Sequence, residues 1–589
     1  MLSQLRTLAP YLARYRWRLA AGIGALVMKD ASAAVGPLII RRMIDALTAG
    51  LSIRLVWNAG LLLLAVAAVK GFFQYWMRWI LIGVSRDIEY DLRNDLFARL
   101  TLLTPKFYGT HRTGDIMSRA TNDLTAVRMM LGPGIMYWAD TFFIFLAAVA
   151  VMGSMDWRLT FFVLLPVPAV SFTVGYFGRV IHDRFQRIQA MFSDISSRVQ
   201  ENLAGVRIVR AYAQEEAERR QFRELNDSYI AENLKLARVW GSFYPLLEVL
   251  IGLTFVIVLW LGGRQVMRGT ITLGSFVMFT SYMGMLVWPM IALGWVVNLM
   301  QRGTASLKRI NQLLYERPEM DDLGVSEEGS ALTPAAIRGE IEFCGVSVDY
   351  GSNGSGPQTA LHSIDLRIPA GQTLAIVGPT GSGKTTLVSL VARLRDPSRG
   401  EVRLDGVDIR RIPLAQLRRA IGMVPQETFL FSDTVAENIA FGTETAAEPE
   451  IREAARIAGI APDIEQFPKK YETPVGERGI TLSGGQKQRT AIARALVREP
   501  RILILDDALS SVDTMTEERI LNALGGVMRG RTTLLISHRV STVRNADRIV
   551  VLAGGRLVEQ GAHDELLARG GYYAGLHQKQ LLEEELEEA

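Results

Sequence analysis

The chain has 589 residues, 49% of them apolar, with 65 Lys and Arg against 60 Asp and Glu, a net charge of +5 and a single cysteine. That length exceeds one domain, and a lone Cys344 excludes an intramolecular disulfide framework and suits a reducing compartment. The positive balance is compatible with nucleic acid or anionic lipid as partner, but the arginines cluster between apolar runs and all ten tryptophans precede residue 303, which favours a lipid bilayer and speaks against nucleic acid.

Arg6, Arg14, Arg16 and Arg18 precede an apolar run from Leu19 to Ile40. The run is longer than a signal-peptide core and others follow it, so it reads as an uncleaved first membrane helix. The leader is unlike a transit peptide. Crossing a hydrocarbon core of about 30 Å takes roughly 20 helical residues. Six stretches qualify: 19–41, 57–83, 133–154, 159–178, 241–263 and 273–300. Short links join the first and second, third and fourth, and fifth and sixth. The segments Ser85 to Arg128 and Arg179 to Arg238 are long, helix-periodic and arginine-rich. With the N-terminal arginines they place the N-terminus, both long segments and the C-terminal half on the cytoplasmic side.

Ionisable residues interrupt the spans at Lys29, Asp30, Lys70, Arg78, Asp140 and Glu248. Such groups are costly at membrane depth and face a cavity or a partner. Asp30 and Glu248 are the candidates to line a substrate path; neutralisation between helices is the alternative. Lys29 and Asp30 are consecutive, about 100° apart on a helix, and are not expected to pair with each other. Met28, Met283, Met285 and Met290 suit either a plastic cavity or interhelix packing. Trp17, Trp57, Trp157 and Trp240 read as interface anchors.

Residues 1–302 therefore form a transmembrane domain. An acidic linker follows over 303–338, then a soluble domain over 339–576 and an acidic tail over 577–589. The soluble half opens with a strand-like run from Glu340 to Tyr350. Further on, Thr373 to Val377 reads as a buried strand, and Gly378 to Thr386 (G-P-T-G-S-G-K-T-T) follows it with the spacing of a P-loop that opens a helix. Gly378, Thr380, Gly381, Ser382, Gly383 and Thr386 would turn backbone N–H groups toward phosphate oxygens. Lys384 would reach the outer phosphates, and Thr385 would ligate Mg²⁺.

Met423 to Gln426 ends another strand with Gln426 near metal or water. Leu482 to Gln486 (L-S-G-G-Q) starts an amphipathic helix, so Ser483, Gly484, Gly485 and Gln486 make a second anion-binding end. Arg501 to Asp513 carries a buried strand delivering Asp506, a Mg²⁺ ligand, and Asp507, where a base for attacking water belongs. The strand in Leu534 to Arg539 ends at His538, within reach of a γ-phosphate. Two phosphate devices in one domain are what ATP held between two copies would need.

On these motifs the chain resembles the ATP-binding cassette (ABC) exporters over essentially its whole length. The resemblance implies six membrane helices fused to an α/β P-loop cassette with a helical subdomain, ATP and Mg²⁺ as ligands, and function as a dimer of halves. It also implies roles for matching residues. Tyr350 stacks on adenine, Gln426 senses Mg²⁺ and the membrane domain, and Ser483 to Gln486 close on ATP held by the other subunit. Asp513 is the D-loop aspartate and His538 the switch histidine. Phe107 to Arg119 and Gly205 to Glu215 are similar to the segments bearing the two intracellular coupling helices.

One departure matters. The family has glutamate after the Walker B aspartate, and this chain has Asp507; Leu509, where threonine is common, is a second. Aspartate falls about 1.5 Å short, and misplacements near 1 Å cost around 100-fold. The resemblance is thus to the degenerate-site subunit of a heterodimeric bacterial multidrug exporter, completed by a second half-transporter. A small amphipathic substrate would be pumped across the inner (plasma) membrane. The alternatives are a homodimeric lipid flippase and an ATP-gated channel or regulator.

Overall fold

The computed structural model describes residues 5–49, 53–350, 358–443, 445–512 and 514–588. The chain divides into two compact units, residues 1–102 with 111–316, and residues 103–110 with 317–589.

The first unit is helical. Among the described residues, six helices are long and apolar enough to cross a membrane: Arg16–Thr48, Ile53–Leu102, Thr113–Met155, Trp157–Ala204, Glu215–Met267 and Leu273–Leu314. They coincide one for one with the predicted spans and overrun them, because the arginine-rich segments continue the same helices. Carboxylates buried in these helices are each met by cationic or hydroxyl partners. Glu89 receives Arg93 at 2.8 Å, Arg128 at 3.2 Å and Arg86 at 3.4 Å. Asp123 receives Arg309 Nε at 2.8 Å and the Ser306 hydroxyl at 2.9 Å. Glu232 receives Arg184 at 2.9 Å and Lys235 at 3.0 Å.

The first span packs on the second, the fourth on the fifth, and the sixth on the first and third. Ala34, Met152, Leu159, Val258, Phe279 and Tyr282 share a core that also takes Met283. Of the methionines proposed for a cavity, Met283 is therefore packed between helices, and Met28 is exposed. Asp45, at the end of the first span, accepts the Gly274 N–H at 2.9 Å and the Thr272 hydroxyl at 2.9 Å, so it caps the start of the sixth.

The intramembrane charges correct one expectation. Lys29 Nζ lies 2.7 Å from Asp30 Oδ1 and also bonds Asp140, so neighbours on one helix do pair. The four-carbon lysine stem covers the angle that separates the two Cβ atoms. Asp30 is buried rather than lining an open path. Glu248, Lys70 and Arg78 are exposed on this unit, as are Trp17, Trp57, Trp157 and Trp240.

The second unit is α/β. A four-stranded antiparallel sheet has the order β2 (Gln358–Ile368), β1 (Ile341–Tyr350), β4 (Arg399–Leu404), β5 (Val407–Asp408). A six-stranded sheet has the order β10 (Arg556–Gly561), β9 (Arg548–Ala553), β3 (Thr373–Val377), β8 (Thr532–Ile536), β7 (Ile502–Asp506), β6 (Ile421–Val424). All its pairings are parallel except that of β10 with β9. The central strands read as continuous apolar runs because both faces are covered. Ala375, Val377, Leu503 and Leu505 face one core; Leu374, Ile376, Ile502 and Ile504 face the other.

Three boundaries differ from the expectation. The sixth-span helix runs through the start of 303–338 to Leu314, and the second unit begins at Arg317. The helix Pro105–Thr110 belongs to the second unit, tied there by Lys106 to Glu319 at 2.5 Å. The acidic tail continues a helix that starts at Tyr572 and runs to Glu588.

Candidate nucleotide site

Strands β3, β6, β7 and β8 end at Val377, Val424, Asp506 and Ile536. Gly378, Gln426, Asp507 and His538 follow within two residues of those ends, so the parallel sheet gathers them at its carboxyl edge, where open α/β sheets bind ligands. A cavity of about 470 Å³ opens there. It is lined by Tyr350, residues 380–386, Gln426, Asp506, Asp507 and His538, together with Thr359, Ala360, Ile536, Gly554 and Gly555.

The loop's shape rests on two glycines whose backbone no other residue would adopt. A Cβ on Gly378, at φ +154°, would lie 2.0 Å from the Leu552 carbonyl oxygen, and one on Gly383, at φ +99°, would lie 2.8 Å from that of Ala360. The helix Lys384–Val391 starts immediately after, adding its positive end. Lys384 folds back, its Nζ donating to the carbonyls of Gly378 at 2.8 Å and Pro379 at 3.0 Å. Burial pushes its ammonium below the ordinary lysine range, against the pull of Asp506 and Asp507.

Asp506 is buried, and burial raises its carboxyl above the ordinary aspartate range. The Thr385 hydroxyl bonds it and works the other way, neighbouring Asp507 adds to the rise, and Lys384 opposes it. Among the described residues, one oxygen, Oδ2, has no partner, and neither has the buried Ser382 hydroxyl. A carboxylate and two hydroxyls with spare lone pairs and donors, set in a glycine cradle, fit a divalent cation and phosphate oxygens. Asp507 takes a left-handed backbone, φ +51°, held by its N–H to the Ile536 carbonyl at 3.0 Å. Asp507 lines the cavity.

At the mouth, the Tyr350 hydroxyl lies 2.9 Å from that of Thr386, and the Arg395 guanidinium covers one ring face 3.9 Å from the centroid. Arg395 was not legible as a site residue, since nothing in its spacing marks it. Gly554 and Gly555, which the sequence reading passed over, join β9 to β10; the Gly555 carbonyl accepts the His362 N–H at 2.8 Å and so ties that turn to β2 beside Ala360.

Ser483, Gly484, Gly485 and Gln486 do not line this cavity. Ser483 caps the helix Gly484–Leu496, its hydroxyl accepting the Gln486 N–H at 3.3 Å while the Gln486 side chain accepts the Ser483 N–H at 3.0 Å. Asp463 fixes Gln486 at 2.9 Å and Arg489 at 2.7 Å. The helix end is thus built and exposed, away from the chain's own P-loop. Asp513 lies outside the described residues.

Residues 19–290 match the family described as ABC transporter transmembrane region, and residues 361–510 the one described as ABC transporter. The chain is 38% identical over 587 residues to the Bacillus subtilis (strain 168) protein named "Probable multidrug resistance ABC transporter ATP-binding/permease protein YheI", covering 99% of this chain and 98% of the relative. It is 37% identical over 528 residues to an "ATP-dependent lipid A-core flippase" of Syntrophus aciditrophicus (strain SB), covering 90% and 86%. A solved "bacterial Atm1-family ABC exporter with ATP bound" superposes with a TM-score of 0.79 at 29% identity, over 96% of this chain and 99% of that one. In this family an ATP-binding domain couples hydrolysis to transport, and the exporters work as membrane dimers. The fold, the P-loop cavity and these matches together make the chain a multi-pass membrane member of the ABC transporter family, of the exporter type.

Proposed function

We propose that the chain is the degenerate-site half of a heterodimeric exporter that moves amphipathic compounds outward across the plasma membrane, with its cassette in the cytoplasm. The observation that carries this is Asp507, a short carboxylate at the cavity position where the base for water belongs. Thr385, Asp506 and Gln426 would hold Mg²⁺, which when bound neutralises charge on the phosphates. Lys384 would leave the Gly378 and Pro379 carbonyls for the outer phosphate oxygens, Tyr350 would stack on the base, and His538 would donate to the γ-phosphate. Asp507 would accept the water's proton across a longer gap than glutamate leaves. Ser483 to Gln486 would close on the nucleotide of the partner, which retains the full-length base.

Closure would pass through the helices Pro105–Thr110 and Val206–Ala211. The first shares a compact unit with this chain's own cassette. The second leaves Ile208 and neighbouring Tyr212 exposed, as a segment docking on a partner's cassette would. Among the intramembrane acids, exposed Glu248 keeps the substrate-facing role, and Asp30 serves there only after release from Lys29. The test is turnover by the purified chain alone. Vigorous ATPase activity abolished by Asp507→Asn would overturn the asymmetric reading; little activity alone, with transport restored by a glutamate-bearing partner, supports it. The relative named as a lipid flippase favours a second reading, a homodimer moving lipid. Headgroup-labelled lipid crossing vesicles that contain this chain alone would support that one.

A further inference from the structure

His538 lies two residues beyond β8, and a side chain on so short a link is only as well placed as its backbone. Three groups grip that backbone. Ser537 Oγ accepts the Arg539 N–H at 3.0 Å. The Arg539 guanidinium binds buried Glu517, which also holds the Thr542 hydroxyl. The third grip comes from the far end of the chain: the Gln580 side chain donates through Nε2 to the His538 carbonyl at 2.5 Å and accepts the Val540 N–H through Oε1 at 2.8 Å. A carbonyl and an N–H two residues apart, met by one amide, is the pairing a neighbouring β-strand would supply.

Gln580 is itself held. The Glu559 carboxylate accepts the first two N–H groups of the terminal helix, Tyr572 at 2.5 Å and Tyr573 at 3.2 Å. Tyr573 is fully buried and shares a 2.8 Å hydrogen bond with His563, and Leu576 packs on the larger cassette core. Gln580 follows Tyr573 by seven residues, two helical turns, and so lies on the same docked face.

The geometry points to Gln580 as a positioning residue for the switch histidine: the terminal helix sets where His538 meets the γ-phosphate. The inference rests on the reading of His538 as a γ-phosphate contact, and it needs nucleotide binding only, so it holds whether or not Asp507 supports turnover. The full-length chain in detergent, with Mg²⁺, is titrated with ATP and with ADP against a fluorescent trinitrophenyl-ATP probe, and its melting is followed in parallel. His538→Ala should reduce the preference for ATP over ADP by about ten- to a hundredfold, the loss of one hydrogen bond to a charged group. Gln580→Ala should do the same with ADP affinity unchanged. The double variant should lose no more than His538→Ala alone. Gln580→Glu, which keeps the contact to Val540 but sets a carboxylate oxygen against the His538 carbonyl, should match Gln580→Ala.

An unchanged preference in Gln580→Ala overturns the proposal. So does a multiplicative loss in the double variant, or an equal fall in ATP and ADP affinity with a lowered melting temperature, which marks a mere structural prop. If His538→Ala leaves the preference intact, the histidine reading fails and this inference with it.

Discussion

Asp507→Glu is the perturbation that bears hardest on the asymmetric reading. It adds one methylene, about 1.5 Å of reach, to a side chain whose backbone is fixed by the N–H to Ile536. If water is positioned for a glutamate, closing a gap of that size restores around 100-fold in rate, which is about 2.7 kcal/mol of barrier. The left-handed φ of +51° works slightly against the longer side chain, since aspartate tolerates it better. That strain of about 1 to 2 kcal/mol falls on the folded state before and during the reaction, so it lowers stability and leaves the barrier untouched. The assay is phosphate release by the purified chain at saturating Mg·ATP, with ATP affinity measured alongside. We expect kcat to rise by one to two orders of magnitude at nearly constant affinity. A Glu variant no faster than the parent would refute the claim that carboxylate reach limits this site.

Lowering the pH should weaken Mg²⁺-dependent nucleotide binding at a higher pH than an ordinary aspartate would, because burial holds the proton on Asp506. A folded-state pKa above the unfolded one means the folded chain binds more protons, so the nucleotide-free cassette loses stability as pH rises through that value. Asp506→Asn should therefore raise its melting temperature at neutral pH, by roughly 2 to 4 °C per kcal/mol relieved, and abolish the Mg²⁺ response. Gly383→Ala, whose Cβ meets Leu361 at 2.7 Å and the Ala360 carbonyl at 2.8 Å, should destabilise the cassette by about 2 to 4 kcal/mol and cut ATP affinity, read by denaturation and nucleotide titration. Lys29→Met should destabilise the membrane unit by about 3 to 5 kcal/mol, because it strands Asp30 and Asp140. The triple variant with both aspartates changed to asparagine should recover most of that loss in a detergent melt.

The nucleotide site was legible because its chemistry is carried by backbone spacing. Two glycines five residues apart, and apolar runs of five that must be buried strands, already put Gly378, Asp506, Asp507 and His538 on one edge once the strands lie parallel. What stayed hidden reaches the site from elsewhere in the chain. Arg395 meets Tyr350 across a ring face, and Gln580 meets the His538 carbonyl from 42 residues away. No local pattern encodes either meeting; each depends on how a helix or turn docks after the sheet has formed. The acidic run after Leu581 masked the second case, since its charge reads as solvated and draws the eye past a docked face beginning at Tyr573.

In the membrane half the opposite holds. Hydropathy located six spans, since any 20-residue helix must be apolar to cross, but it is silent on which ionisable groups stay free. The angular argument about Lys29 and Asp30 treated side chains as vectors fixed at Cβ, whereas a lysine sweeps a wide cone. Its ammonium reaches both Asp30 on its own helix and Asp140 on the third span. One cation between two carboxylates leaves the cluster with an excess of one acid, and Asp30 Oδ2 is buried with no hydrogen-bond partner among the described residues. An acid so placed holds spans one and three together through Lys29, while Glu248 is exposed on the fifth span, the position from which the proposed substrate role would act. Substitution of Glu248 should accordingly alter substrate preference with the fold intact, and substitution of Lys29 should alter the fold before it alters preference.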